Sequence, residues 1–545
     1  MSQSIICPIV AEIFYLMRSL IAQCCLAGVA EWIICPGARN VALLQSLAVC
    51  HDLVCRTHFD ERSAGFFALG RIQELGLPVA VVTTSGTAAA ELYPSIIEAY
   101  YQGRPLIVIT ADRPASFRGS GAPQAIEQVD MFGIYATTID IENSADIPND
   151  IFDTWDWGSP LHLNICLGEP DFTRECAPED CYPKQPPAID YPHPVLTELA
   201  QALRFQASRG LVVIIGGLDP DEQEPALWLA KELKAPVLAD ATSGIREELS
   251  DLCLCDGDAI LAKNPPPMVL RLGDIPVGRF WRDLEQLPQT KVFSITRTGL
   301  AGLARDSHVI HCSMERVIEA IGDISSVGDS CQLFPISRKR SGLIEELLTT
   351  YSSSEQALIH AISINASMAD LIYLGNSSPI RLWNDYAQST VPTENVRANR
   401  GANGIDGQIS GFLGNSIETQ EAWAILGDLT TMYDANALSL CRQLPESRRV
   451  IVILNNHGGG IFRHMKGAIS LSSKMEQFLV QPQQFDFQQL ANLWNAHYLT
   501  IDSTLNLDCL DDIPEKGLTL IELCPDEKET VLFEQHLRAT RPNRP

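Results

Sequence analysis

The stretch Trp423–Leu438, WAILGDLTTMYDANAL, decides the reading of this chain. An apolar run, Trp423 to Leu426, stops at Gly427-Asp428, and a helix-like segment follows. A short continuous apolar run, ended by a small or polar turn and followed by an amphipathic segment, describes a strand of a parallel sheet covered on both faces. A carboxylate at the exit of such a strand meets the positive end of the next helix. It is either a cap or the ligand of a cation that in turn holds an anion.

The pattern recurs along the chain. WIICPGAR, VAVVTTSGTA and LIVITADRP carry it in the N-terminal third. LVVIIGGLD, APVLADATSG, MVLRLGDIP and KVFSITRTG carry it in the middle, and LIYLGNSSP, WAILGDLTT and VIVILNNHGGG towards the C-terminus. Such alternation predicts an α/β chain of three doubly wound parallel-sheet domains, at 1–182, 195–335 and 350–545. A length of 545 residues accommodates them at about 150 residues per domain. The Pro-rich segment 177–194 and the segment 323–354 are the expected linkers. In doubly wound sheets ligands sit beyond the carboxyl ends of the strands, so the polar turns above are the places to look for chemistry.

Composition excludes several classes. The formal net charge of −27 leaves no electrostatic footprint for nucleic acid or an anionic membrane, so an anionic substrate would need a local cluster of arginines. The 16 cysteines form no CxxC pair and read as reduced thiols, as in a cytoplasmic protein. The N-terminus, MSQSIICPIVAEIFYLMRSL, is interrupted by Glu12 and Arg18 and reads as an amphipathic helix rather than a signal peptide. No run reaches the 18 or so apolar residues of an integral membrane segment.

Asn456 follows Asp428 by 28 residues, at the end of VIVILNN, and glycines come next. A helix and a second strand fit between them, which sets two strand ends side by side. The Asp428 carboxylate, the Asn456 amide oxygen and the Gly458 carbonyl then offer half an octahedron of hard ligands, suited to Mg²⁺ completed by phosphate oxygens. The helix starting after Leu429 adds its N–H groups to the same anion. The expectation is a diphosphate site built without a Walker lysine.

This Gly-Asp…Asn-Asn arrangement resembles the signature of thiamin-diphosphate enzymes. The resemblance implies a pyrimidine-binding, a central and a diphosphate-binding domain for the three thirds. Within that group the chain is similar to the family of 2-succinyl-5-enolpyruvyl-6-hydroxy-3-cyclohexene-1-carboxylate synthases. CPGARN, HFDERSAGFFALG, TTSGTAAAELYPSIIEA, TADRP, GAPQAI, GNSSPIR, NRGANGIDGQIS, GDLTTMYDANAL and NNHGGGIF carry the likeness. It implies a transferase of menaquinone biosynthesis, with thiamin diphosphate and Mg²⁺ or Mn²⁺ as cofactors. The substrates are 2-oxoglutarate, which is decarboxylated, and isochorismate, to which the resulting succinyl carbanion adds.

The resemblance also implies roles. Glu61 would meet the pyrimidine of the cofactor and Ile405 would prop its bent conformation. Ser377, Gly427, Asp428, Leu429, Asn456, Gly458 and Ile461 would complete the cofactor site, with Asp428, Asn456 and Gly458 holding the metal. Arg39, Arg113, Arg279, Arg381 and Arg400 would bind substrate carboxylates, Gln124, Asn376 and Ser377 would supply neutral hydrogen bonds, and Phe462 would join Ile461 as an apolar wall. It further implies a homodimer or a dimer of dimers (a homotetramer) with the active site between subunits. Ala38, Pro123, Gly278 and His457 depart from the family's usual residues. The rivals are another thiamin-diphosphate decarboxylase or carboligase, against which the arginine set argues, and a non-catalytic scaffold, against which Glu61, Asp428 and Asn456 argue.

Overall fold

The computed structural model describes residues 8–143, 146–147, 151–152, 155–173, 181–185, 196–206, 210–321, 332–393, 395–464 and 472–540. Three parallel sheets organise the chain. The first contains β1 (Glu31–Ile34), β2 (Val54–Thr57), β3 (Val79–Thr83), β4 (Leu106–Asp112), β5 (Thr137–Ile141) and β6 (Leu161–Cys166), in the order β2-β1-β3-β4-β6-β5. The second contains β7 (Leu211–Ile215), β8 (Val237–Ala239), β9 (Met268–Leu272), β10 (Lys291–Thr296) and β11 (His308–His311), in the order β11-β10-β9-β7-β8. The third contains β12 (Leu371–Leu374), β13 (Val396–Arg397), β14 (Glu421–Gly427), β15 (Arg448–Leu454), β16 (His497–Ile501) and β17 (Gly517–Leu523), in the order β13-β12-β14-β15-β17-β16. The first and third sheets are therefore wound identically.

The three-sheet α/β expectation is met, and all ten strands read from apolar runs are present. Every residue of β3, β4, β7, β9 and β12 is buried, as strands covered on both faces require. Two interior strands escaped the pattern. In β6 the buried His162 and Asn164 interrupt the apolar run, and in β17 Thr519 and Glu522 do. His162 and Glu522 are tolerated because they are paired: Thr110 Oγ1 lies 2.8 Å from His162 Nε2, and Asn455 donates to Glu522 at 2.6 Å.

The chain divides into two compact units. One comprises residues 1–189, 401–417 and 434–445, and the other 190–400, 418–433 and 446–545. In the first, helix Pro8–Leu26 buries Leu16, Met17, Leu20, Ile21, Cys24 and Cys25 against the sheet, the spacing of an amphipathic helix. Helix Glu61–Leu75 crosses helix Gln408–Asn415 glycine against glycine. A Cβ on Gly70 would stand 2.3 Å from the Gly411 carbonyl oxygen, and one on Gly414 would stand 2.3 Å from that of Phe67. Arg71 closes this crossing, donating to both oxygens of Glu31 (3.0 and 2.7 Å) and to the Gly414 carbonyl. In the second unit, the described part of segment 323–354 is helix Leu333–Thr350 and the turn after it, while 323–331 lie outside the described residues. Of segment 177–194 only 181–185 are described, and they form no regular element. No helix among the described residues is long and apolar enough to cross a membrane.

Candidate active site

In the second unit β14 and β15 run side by side, with Gly427 opposite Leu454. Asp428 and the turn after Leu454 therefore leave the sheet at the same, carboxyl end of the strands. Asp428 is 2% exposed. Its Oδ1 accepts from the Leu429 N–H at 2.7 Å and its Oδ2 from the Gly458 N–H at 2.6 Å, so the carboxylate ties the two strand exits together. Burial raises its pKa, and the hydrogen bonds from Leu429 and Gly458 pull it back. Gly458 has φ +122°, and a Cβ there would lie 2.4 Å from the Val480 carbonyl oxygen, so only glycine fits. Its carbonyl accepts from the Gly460 N–H at 2.8 Å, which leaves one lone pair for a cation.

Asn456 donates its amide N–H to Glu355 Oε1 at 3.0 Å, leaving Oδ1 as the ligand atom. Glu355 is the residue the sequence reading missed. It opens helix Glu355–Asn365 behind the Ser354 N-cap, and its carboxyl is pushed up to about 7, first by burial. Among the described residues no group of three or more His, Cys, Asp or Glu side chains could hold a metal. A cation here would depend on the mixed carboxylate, amide and carbonyl set, which fits a hard ion that keeps phosphate oxygens. Ile461 and Phe462 follow in the 3₁₀ turn Gly460–His464, with Phe462 exposed.

At the exit of β12, Asn376, Ser377, Arg381 and Arg400 come together. Asn376 is buried, donates to the Asn399 carbonyl at 2.8 Å and accepts from Arg400 Nη1 at 2.8 Å. Arg381 Nη1 reaches the Ser377 carbonyl at 2.5 Å. Ser377 sits at φ 74°, ψ −127°, a conformation costly for a side-chain-bearing residue and common where function over-determines the backbone. Burial, then Arg400, then Arg282 lower the pKa of Arg381: like charges converge there. Arg279 does not join them. It is exposed and paired with Asp283 at 2.8 Å, while its backbone N–H donates to the Asp258 carboxylate.

In the first unit Glu61 is the first residue of its helix, behind the Asp60 N-cap, which accepts from the Ser63 N–H at 3.0 Å. Burial raises the Glu61 pKa, with Asp60 and Glu91 adding to the shift. Ile405 is half-buried in the loop before helix Gln408–Asn415. That loop is clamped by a second residue the sequence reading missed, Glu98, 2% exposed, which accepts from the Gly401 and Ala402 N–H groups at 2.7 Å each. The CPGARN turn is closed by buried Asn40, which accepts from the Gly37 N–H and donates to the Cys35 carbonyl. From this turn Arg39 reaches Glu169, and Arg113, beyond β4, reaches the same carboxylate. Arg113 Nε also donates to the Pro123 carbonyl at 2.9 Å, fixing the turn of Gln124, which has φ 58°.

Residues 16–131 match the family described as thiamine pyrophosphate enzyme, N-terminal TPP binding domain. The fold is similar to that of benzoylformate decarboxylase from Polynucleobacter necessarius, with a TM-score of 0.68 at 14% identity, covering 94% of this chain and 98% of that one. A relative from Akkermansia muciniphila, named 2-succinyl-5-enolpyruvyl-6-hydroxy-3-cyclohexene-1-carboxylate synthase, is 58% identical over 514 residues, 94% of this chain and 96% of its own. One of the same name from Bdellovibrio bacteriovorus is 37% identical over 93% of this chain and 95% of its own. The chain belongs to the 2-succinyl-5-enolpyruvyl-6-hydroxy-3-cyclohexene-1-carboxylate synthase family.

Within this synthase-family chain the departures fall at constrained places. His457 has φ 60°, a region that asparagine and histidine enter more readily than most residues. Pro123 supplies only its carbonyl, to Arg113. Gly278 N-caps the short helix that carries Arg279.

Proposed function

We propose that the chain is a thiamin-diphosphate-dependent synthase that decarboxylates 2-oxoglutarate and joins the remaining succinyl unit to isochorismate, in menaquinone biosynthesis. The observation that carries this reading is the 58% identity to a synthase of that name over 94% of the chain. The site geometry supports it. When bound, thiamin diphosphate supplies a nucleophilic carbon and a sink for the electron pair left by CO₂.

The chain's own residues do the rest in this reading. Asp428, the Asn456 amide and the Gly458 carbonyl would hold Mg²⁺ or Mn²⁺, with Gly427 and Leu429 lining the diphosphate. Glu61, its pKa raised by burial, would share a proton with the pyrimidine. Ile405 would set the cofactor's conformation by shape, and Ser377 and Ile461 would line it. Arg39, Arg113, Arg381 and Arg400, with Gln124, Asn376 and Phe462, would orient two carboxylate-bearing substrates. Arg279 belongs to this set only through a rotamer that releases Asp283. The proposal includes domains at 1–182, 195–335 and 350–545, a cytoplasmic homodimer or dimer of dimers, and an active site completed by the partner.

The test is turnover by purified protein with Mg²⁺ and thiamin diphosphate, following isochorismate loss. Consumption of isochorismate that requires 2-oxoglutarate and is not supported by pyruvate is the expected result. Decarboxylation of pyruvate in preference to 2-oxoglutarate would overturn it.

A further inference from the structure

Arg39 and Arg113 leave the sheet beyond β1 and β4, and Glu169 beyond β6, the neighbour of β4. Arg39 is held rigidly. Its Nη1 donates to the Leu167 carbonyl at 3.3 Å and the Gly168 carbonyl at 2.5 Å, and its side chain is only 9% exposed. Arg113 is fixed through Nε to the Pro123 carbonyl and lies over the Phe117 ring at 5.3 Å. Between these two fixed guanidiniums stands one loosely held group. A Glu169 carboxylate oxygen lies 3.3 Å from Arg39 Nη2 and 4.0 Å from Arg113 Nη1, with the Glu169 side chain 82% exposed.

A pair of preorganised arginines is an oxyanion seat, and an exposed glutamate on a turn is the cheapest thing to move out of it. We propose that Glu169 is a specificity-determining guard. Its carboxylate occupies the Arg39–Arg113 seat in the free protein, keeps out weakly bound inorganic anions, and yields to a substrate carboxylate. This rests on the reading of Arg39 and Arg113 as substrate ligands. The contrast in exposure carries the assignment: a glutamate that positioned the arginines would be buried with them, whereas here backbone carbonyls do the positioning and the carboxylate faces solvent.

The displacement is mild. Exposed ion pairs of this kind change an equilibrium by no more than about five-fold. In Glu169→Gln, kcat/KM for the substrate whose carboxylate takes the seat therefore rises by roughly two- to five-fold. Competitive inhibition by sodium sulfate strengthens in the same variant. The experiment is steady-state kinetics for 2-oxoglutarate and isochorismate, with and without sulfate, on wild type, Glu169→Gln and Arg113→Gln. If Arg113→Gln raises KM for a substrate while Glu169→Gln leaves both kcat/KM values and the sulfate inhibition unchanged or lowers kcat/KM, the guard is refuted and the arginine reading stands. If Arg113→Gln changes neither KM, the arginine reading itself fails, and the guard with it.

Discussion

Glu98 presents the sharpest test of how the loop bearing Ile405 is held. Its Oε1 accepts from the Gly401 N–H (2.7 Å) and from Gln102 Nε2 (2.6 Å), and its Oε2 accepts from the Ala402 N–H (2.7 Å). Behind it runs a chain of amides pointing one way, Asn415 to Gln73 to Gln102, each at 2.7–2.8 Å, ending on the carboxylate. In Glu98→Gln one oxygen becomes an NH₂. Placed at Oε1 it would face two donors, so it takes the Oε2 position and opposes the Ala402 N–H alone. Ala402 is exposed and water can replace the lost partner, which puts the cost near the lower end of the 1.5–3 kcal/mol of a hydrogen bond to a charged group, about 1.5 kcal/mol. The protein stays folded, since domains have about 5–15 kcal/mol in hand. The loop loses one of its two clamps, and an equal loss of orientation at Ile405 lowers kcat/KM by about ten-fold. Urea unfolding and steady-state kinetics measure the two effects. A variant with wild-type kcat/KM would refute the idea that Glu98 positions the loop, whatever its stability.

Other perturbations follow from the same geometry. Gly70→Ala drives a Cβ to 2.3 Å from the Gly411 carbonyl and should cost about 1–3 kcal/mol by overpacking, read as a lower thermal midpoint. Glu355→Leu removes the acceptor that orients Asn456 and should weaken apparent Mg²⁺ affinity by about 10–100-fold, measured by metal titration of cofactor binding; unchanged affinity would remove Glu355 from the metal's support. Burial lowers the pKa of His162 from 6.5 to about 3. The folded state therefore binds fewer protons than the unfolded one below pH 6.5. The stability this group contributes is intact above 6.5 and is lost on acidification at up to about 1.4 kcal/mol per pH unit. A His162→Gln variant should show a shallower fall in urea midpoint between pH 6.5 and 4, and an unchanged slope would contradict the assignment.

Much of the fold was legible because parallel strands buried on both faces carry continuous apolar runs, as β3, β4, β7, β12, β14 and β15 do, while in β9 buried Arg271 interrupts the run without hiding it. The strands that were not read are edge strands such as β2, β11, β13 and β16, or interior ones carrying buried polar groups such as His162 and Glu522. Their partners lie 24 to 67 residues away or at an open edge, where no local pattern records them. The candidate site divides in the same way. Asp428, Asn456 and Gly458 stood out because a small turn after an apolar run is a local signal. Glu98 and Glu355 did not, because a glutamate in a helix looks solvated until the fold buries it.

By itself the sequence determined the three α/β sheets, the strand exits at which the candidate site lies and the family to which the chain belongs, since all three are written in local runs and motifs. Only the tertiary structure decided which carboxylates hold backbone N–H groups, that Arg279 pairs with Asp283 while Arg381 and Arg400 converge, and that Glu169 stands between Arg39 and Arg113. Those outcomes depend on distances between residues remote in the chain, and a charge shows its role only when its neighbours and its access to water are known.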